Sequence, residues 1–462
     1  MVGEKKLQEI AKKVLSLSKA QRSAQAIGSE AQARRGKLET EVLLFVTDHG
    51  LTRFANSQIH QNVAWEDVGI SVRVVVGKRI GVASTNSFAD NALRDVVRRA
   101  HDLAKLQKED PHFKGLPKPQ KLPTVGQWIY QATPEERALA VSTIINKARE
   151  KRITASGAFD SVITEVAVAN SHGLWAYHAS SASDLSTILL GKDSTGFAAQ
   201  VGRKAEDIDA DEVARRAIEK VERGKAPMEV EPGEWDVILE PQAVNEMMAF
   251  FSWLGPNARI YHEQASYFSG RLGEKVVGKN ITIVDDPLSV EGFPMPFDFE
   301  GVPKRKVEII KEGVLSSLVY DSYHAGKHKA ENTGHALPAP NTGGPMPLHL
   351  TLEVGSLKLE DMIRGVKKGL LVTRFWYVRV LNPRHLSITG MTRDGTFLIK
   401  DGEIVGGVKN LRFNQSIPEA LSNVAAISNT TVPLSSFELE LGSNRMPALH
   451  IKGWNFTSST QF

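Results

Sequence analysis

The stretch IYHEQASYFSGRLGE, which begins at Ile260, sets His262 directly before Glu263. That is how a zinc-peptidase helix starts. In His-Glu-x-x-His or His-Glu-x-x-x-His, two imidazoles return to one helical face to bind zinc, and the glutamate acts as general base on the metal-bound water. Here the second ligand is missing, because Ser266 stands four residues after His262 and Tyr267 five after it. Gly270, Gly273 and Gly278 would also break up a helix presenting them. The residues read as a surface His-Glu pair in a loop.

A second cluster, DSYHAGKHKAENTGHALPAP, places His324 and His328 four apart, with Glu331 and then His335 following. Three imidazoles could meet around a metal. Gly326, Gly334 and the nearby prolines instead suggest a long loop from His324 to Pro347, facing a cavity and offering His324, His328 and His335 to a peptide. Arg393 is a further peptide-binding candidate, since a guanidinium can hold a carboxylate or a backbone carbonyl. Asp394 and Asp401 beside it each precede a glycine between β-rich runs and read as turns. His49-Gly50 and His172-Gly173, with Ser57 and Ser180 eight residues beyond the histidines, form a repeated pattern that hairpin turns explain. No P-loop spacing and no Gly-x-Ser-x-Gly elbow occurs.

Composition narrows the chemistry. The 462 residues suit two or three domains, and 41% hydrophobic with 24% charged residues describes an ordinary globular protein. With 57 Lys and Arg against 53 acidic residues, no basic surface for direct nucleic acid binding is expected. The absence of Cys removes disulfides and thiolate ligands. No apolar run reaches the roughly twenty residues of a membrane span, and the N-terminal stretch reads as an amphipathic helix without the apolar core of a signal peptide. A cytoplasmic location is the default.

The elements that must position these residues divide the chain. After the first helix, TEVLLFV, LTRFANS, VGISVRVVV and RIGVAST read as strands, with turns at Asp48-His49-Gly50 and Gly77-Lys78. A helix over about 91–106 buries Leu93, Val96, Val97, Ala100, Leu103 and Ala104. Thr133, Pro134 and Glu136 form a capping box at the start of the next helix. The last helix of this half ends at Gly224, and a Pro/Gly-rich connector follows. We therefore expect an α+β fold: an N-terminal α+β domain over 1–226, with antiparallel strands and flanking helices, and a larger β-rich domain over 227–462. The second contains the helix PQAVNEMMAFFSW, a hairpin turning at Glu312-Gly313, and enough strands for an antiparallel sheet, sandwich or partly closed barrel.

Three separated blocks, LTRFANSQIHQN, the run from Thr373 to Phe413, and MPALHIKGWNFTSS, resemble the TldD/PmbA family of cytoplasmic metalloproteases in content and order. The resemblance spans nearly the whole chain and implies dimers that enclose a cavity. In the TldD branch, a His-Glu-x-x-x-His helix at the start of the C-terminal domain and a downstream Cys hold the metal. The matching helix here, EPQAVNEMMAFFSW, contains Glu240 and Glu246 but no His. The chain thus resembles the PmbA branch, also called TldE, whose members lack the metal ligands.

That resemblance implies a non-catalytic subunit, with no metal or other cofactor of its own, which binds unfolded or extended peptides by adding them to a sheet edge. Zinc would belong to a TldD-type partner in a heterodimer. Two other readings stand beside it: a homodimeric peptide-binding protein without a protease partner, and a metallopeptidase with a site made only of His324, His328 and His335. The β-rich half would supply the dimer contact, with Trp253, Phe375 and Trp376 as candidates.

Overall fold

The computed structural model describes residues 1–24, 37–436 and 441–460. Its first half is a six-stranded antiparallel sheet made of β1 (Leu38–Ala55), β2 (Gln58–Val76), β3 (Arg79–Thr85), β4 (Thr154–Asn170), β5 (Trp175–Leu190) and β6 (Thr195–Gly202), in the order β3-β2-β1-β4-β5-β6. Helices α1 (Glu4–Ala24), α2 (Asp90–Leu106), α3 (Pro134–Glu150) and α4 (Ala210–Arg223) cover one face. They pack there through apolar stripes, such as Leu7, Ile10, Ala11 and Val14 on α1, and Leu93, Val96, Val97, Ala100 and Ala104 on α2. Leu103 departs from the expectation, for it is 39% exposed. The capping box at Thr133 is present as expected.

The other face of this sheet carries Leu43, Val166 and Val168, which pack against Met295, Phe297, Phe299 and Leu348 of the second half. Alternation along β1 decides this division, since even-numbered residues face the helices and odd-numbered ones the second half.

Not every expected turn is one. β1 runs straight through Asp48-His49-Gly50, and the chain reverses at Asn56-Ser57, both with positive φ. Gly50 is required for space: a Cβ there would lie 2.2 Å from a guanidinium nitrogen of the buried Arg137. The turns at Gly77, Gly173, Glu312-Gly313 and Asp401-Gly402 are as expected, each with residues in the left-handed region.

The second half opens with β7 (Gly233–Leu239), α5 (Pro241–Leu254) and α6 (Ala258–His262). A small mixed sheet then forms from β8 (Ile283–Asp285), β9 (Val307–Lys311) and β10 (Val314–Leu315), joined past α7 (Ser322–His328) by β11 (Leu350–Leu352). After α8 (Leu359–Arg364) come β12 (Lys368–Asn382), β13 (Ser387–Lys400), β14 (Glu403–Gly407), β15 (Leu411–Ser416), α9 (Ile417–Ser422), β16 (Val424–Ile427), β17 (Val432–Ser435), β18 (Ser443–Met446) and β19 (Leu449–Ser459). Strands β17 and β18 complete the small sheet. The sequence β12-β7-β19-β15-β13 closes on itself through β12–β13 pairing, so the partly closed barrel among the expected alternatives is a closed ring. The ring is not wholly antiparallel, because β7 runs parallel to β12, and in the small sheet β11 runs parallel to β18.

Phe375, expected at a subunit contact, instead fills this barrel. Its ring lies 4.5 Å from that of Phe413 and 5.2 Å from that of Trp454. Trp253 and Trp376 are 47% and 48% exposed. Asp394-Gly395 is likewise not a turn; it is a bulge inside β13, where the pairing with β12 shifts register and both residues have positive φ. Among the described residues, no helix is long and apolar enough to cross a membrane.

Candidate functional site

The segment expected as a loop from His324 begins as a helix. Asp321 caps α7 by accepting the His324 backbone N–H at 2.7 Å, and the same carboxylate takes the His324 ring Nδ1 at 2.8 Å. An aspartate three residues before a histidine is an N-cap signal that the sequence already contained. Lys329, in the left-handed region, ends the helix.

Spacing four on α7 does bring His324 and His328 to one side, but they do different things. His324 is buried on Asp321 and lines a cleft of about 650 Å³. His328 stacks on His262, with centroids 3.5 Å apart and planes within 5°. Burial, with the neighbouring charges of His262 and Lys327, pushes His328 down to about 4. Burial also lowers His262, whose Nε2 lies 3.1 Å from the Tyr320 hydroxyl. Two neutral imidazoles can stack face to face without charge repulsion. The His262-Glu263 pair is not in a loop: His262 ends α6, and Glu263, on the surface, pairs with Arg259 at 3.1 Å.

His335 is placed apart from both. Its side chain has no exposed surface, and Nε2 donates to Asp285 at 2.9 Å. Burial alone would raise Asp285, but His335 and the buried Lys304 hold its carboxyl well below the usual range. The three histidines do not converge, and among the described residues no group of three His, Cys, Asp or Glu is arranged to hold a metal.

The cleft lies where the second half meets the edge of the N-terminal sheet. Arg73 on β2 donates to Glu41 at 2.7 Å and to Glu300 at 2.9 Å, and the other Glu300 oxygen accepts the Ser322 N–H at the start of α7. That chain of contacts fixes α7 against β2. The rest of the wall comes from Ile80 and Val82 of β3, Phe113 and Lys114 after α2, and Lys327 and Asn341 of the second half.

Helix α5 starts at the end of β7 and is the helix that the resemblance matches to the metal-binding helix of the TldD branch. Its residues do not fit a metal. Glu240 is paired with Lys220 at 2.6 Å, and Glu246 accepts the backbone N–H of Phe375 and is approached by Gln242 at 3.3 Å. Burial pushes Glu246 up to about 7 against the opposing pull of Arg374. That guanidinium donates to Asp394 at 3.0 Å and lies 4.3 Å above the Phe197 ring of β6. A fixed cation and a satisfied carboxylate, with no imidazole on α5 and no thiolate in the chain, cannot supply a zinc site.

Arg393 lies elsewhere again, in a cleft of about 740 Å³ between the β5–β6 turn and the barrel, where it is shared with Lys192, Lys409 and Asn410. Sequence reasoning missed Asp321, Asp285, Lys304 and the Arg374–Asp394 pair. Only Asp321 carried a local signal.

Comparison with known proteins agrees with this architecture. The chain matches the PmbA/TldA metallopeptidase domain 1 over residues 41–104, the central domain over 130–224 and the C-terminal domain over 232–458. It is 24% identical to metalloprotease PmbA of Escherichia coli O157:H7, over 96% of this chain and 99% of that protein. It is 23% identical to a metalloprotease TldD homolog of Haemophilus influenzae, over 81% of each. The crystal structure of TldE from Thermococcus kodakarensis superposes with a TM-score of 0.83 at 23% identity, covering 91% of this chain and 97% of that one. The chain belongs to the PmbA/TldD metallopeptidase family.

Proposed function

We propose that this member of the family is a non-catalytic, TldE-like subunit, which encloses a cavity and binds unfolded or extended polypeptide for cleavage by a zinc-bearing, TldD-type partner. The observation that carries this reading is the closed state of α5. Glu246 is sealed on the Phe375 amide and Arg374 is locked on Asp394, so the helix offers no open ligand position. Polypeptide binding rests on the open cleft beside α7, with His324 in its wall. Association rests on Trp253 and Trp376, half-exposed on α5 and β12, which suit burial against a second subunit.

Metal analysis and a peptidase assay test the reading. The isolated chain should carry no stoichiometric zinc and cleave no peptide. Mixed with a TldD-type subunit bearing His-Glu-x-x-x-His, it should form a complex that does cleave. One zinc per isolated chain, with chelator-sensitive cleavage, would overturn the proposal in favour of a metallopeptidase of its own. A self-associating chain that binds peptide but ignores such a partner would support the homodimeric alternative.

A further inference from the structure

Strand β3 is the edge of the N-terminal sheet, and its register with β2 fixes which of its backbone groups are free. The two-residue turn at Gly77-Lys78 pairs Val76 with Arg79, so Arg79, Gly81 and Ala83 direct their N–H and C=O groups towards β2. Ile80, Val82 and Ser84 direct theirs outwards. At the two ends the outward groups have partners: the Lys78 carbonyl accepts from the Asp110 N–H at 3.0 Å, and the Ser84 carbonyl accepts from Arg99 at 2.8 Å. Between them, no hydrogen bond among the described residues engages the outward groups of Ile80 and Val82. These are the two β3 residues flanking Gly81 in the wall of the 650 Å³ cleft.

The geometry points to the Ile80–Val82 edge as the place where an extended polypeptide adds as a seventh strand. This rests on the polypeptide-binding reading above and locates it. The edge presents donor, acceptor, donor and acceptor over roughly 10 Å of strand, which matches the backbone of any extended chain whatever its side chains. Side chains of the added strand on the Ile80 and Val82 face would meet those residues, Phe113 and Lys327, and the alternate ones would turn towards α2 at Leu103 and Gln107. The occupant is one strand rather than the sheet of a second copy. The edge is walled by the chain after α2 on one side and by α7 and the segment to Thr342 on the other, and a cleft of about 650 Å³ admits a peptide but not a folded edge.

The sheet has another open edge, and it makes a control. β3 ends opposite Ile70, so β2 has no neighbour on that side from Asn62 to Val68. Ala64 and Glu66 are exposed there, beside the acidic Asp67. Charged side chains are one way sheets discourage pairing at such an edge.

The test uses the full-length chain and a fluorescein-labelled, ten-residue unstructured peptide of Ser, Thr, Val and Lys, read by anisotropy. Val82→Pro deletes an outward N–H and leaves the β2 ladder complete, so it should weaken binding about tenfold. Ala64→Pro, on the exposed edge, should bind as wild type, and Val82→Thr, which keeps the amide but alters a side chain in the wall, should lose far less than Val82→Pro. Should Val82→Pro fail to fold, N-methylation of the peptide one position at a time against wild-type protein replaces it, and losses should recur at every second position. Wild-type affinity in Val82→Pro, loss in Ala64→Pro, or methylation losses without that period would overturn the β3 assignment and leave polypeptide binding standing. No binding by the wild-type chain would overturn both.

Discussion

The surroundings of α5 and of α7 use the same kinds of residues to opposite ends. Around α5, every charged side chain is closed on another group: Glu240 on Lys220, Glu246 on the Phe375 amide, Arg374 on Asp394. Around α7, Asp321 and Glu300 are closed just as tightly, yet they frame a cleft with unpaired backbone in its wall. Zinc chemistry needs side chains with open coordination, whereas holding an extended chain needs only open main chain. A family member can therefore lose the first and keep the second, because the two depend on different atoms in different places.

The comparison breaks most visibly at Asp285. Asp285→Ala removes the partner of His335 and leaves Asp298 alone among the carboxylates that support the charge of the buried Lys304, and should cost about 3–5 kcal/mol of unfolding free energy in urea titrations. Because this carboxylate holds His335, which adjoins Ala336 in the cleft wall, peptide affinity should fall with it. Retained affinity in a folded Asp285→Ala chain would separate the cleft from its scaffold.

At α5 the effect should be on stability alone. Burial raises Glu246 from 4.5 to about 7, so the folded state holds this proton more tightly than the unfolded state. Stability is lost as pH rises from about 4.5 through 7, where the unfolded carboxyl has ionised and the folded one has not, and the full penalty stands above 7. Glu246→Gln lacks that penalty. Its unfolding free energy should gain on wild type across this interval and level off near 3 kcal/mol at most, about the size set by the difference in proton affinity. Peptide affinity should not change. Parallel pH–stability curves for the two proteins would show that Glu246 is not held protonated.

The smallest effect is expected at His262. Its stacking on His328 and its contact with Tyr320 are partly exposed, so His262→Ala should cost less than about 1 kcal/mol. Cleavage by the chain with a TldD-type partner should be unaffected. A large loss of turnover would return His262 to the chemistry its sequence context suggested.

What could be read from the sequence was local. The capping box at Thr133, the stripe on α2 and the Glu312-Gly313 hairpin were legible because a few adjacent residues determine each of them. The same local reading failed at Gly50, where a side chain from α3 requires the glycine, and at Asp394-Gly395, where an ion pair to β12 makes the bulge. At the site, Asp321 capping α7 was within reach of sequence spacing. The His335–Asp285 bond and the His262–His328 stack join residues dozens of positions apart, and no periodicity encodes them. The free amides of Ile80 and Val82 are a property of register, which becomes known only once β2 and β3 are paired.

The ring of β12, β7, β19, β15 and β13 also sets a timetable for biogenesis. The N-terminal sheet is complete by Gly202, and each of its strands pairs with one already made or made soon after. β7 finds its antiparallel partner only in β19, about 200 residues later, which at ribosomal speeds is roughly 10–40 s of synthesis. For that interval its apolar strand Val237-Ile238-Leu239 is a nascent segment without its barrel, exposed to chaperones and to its own kind.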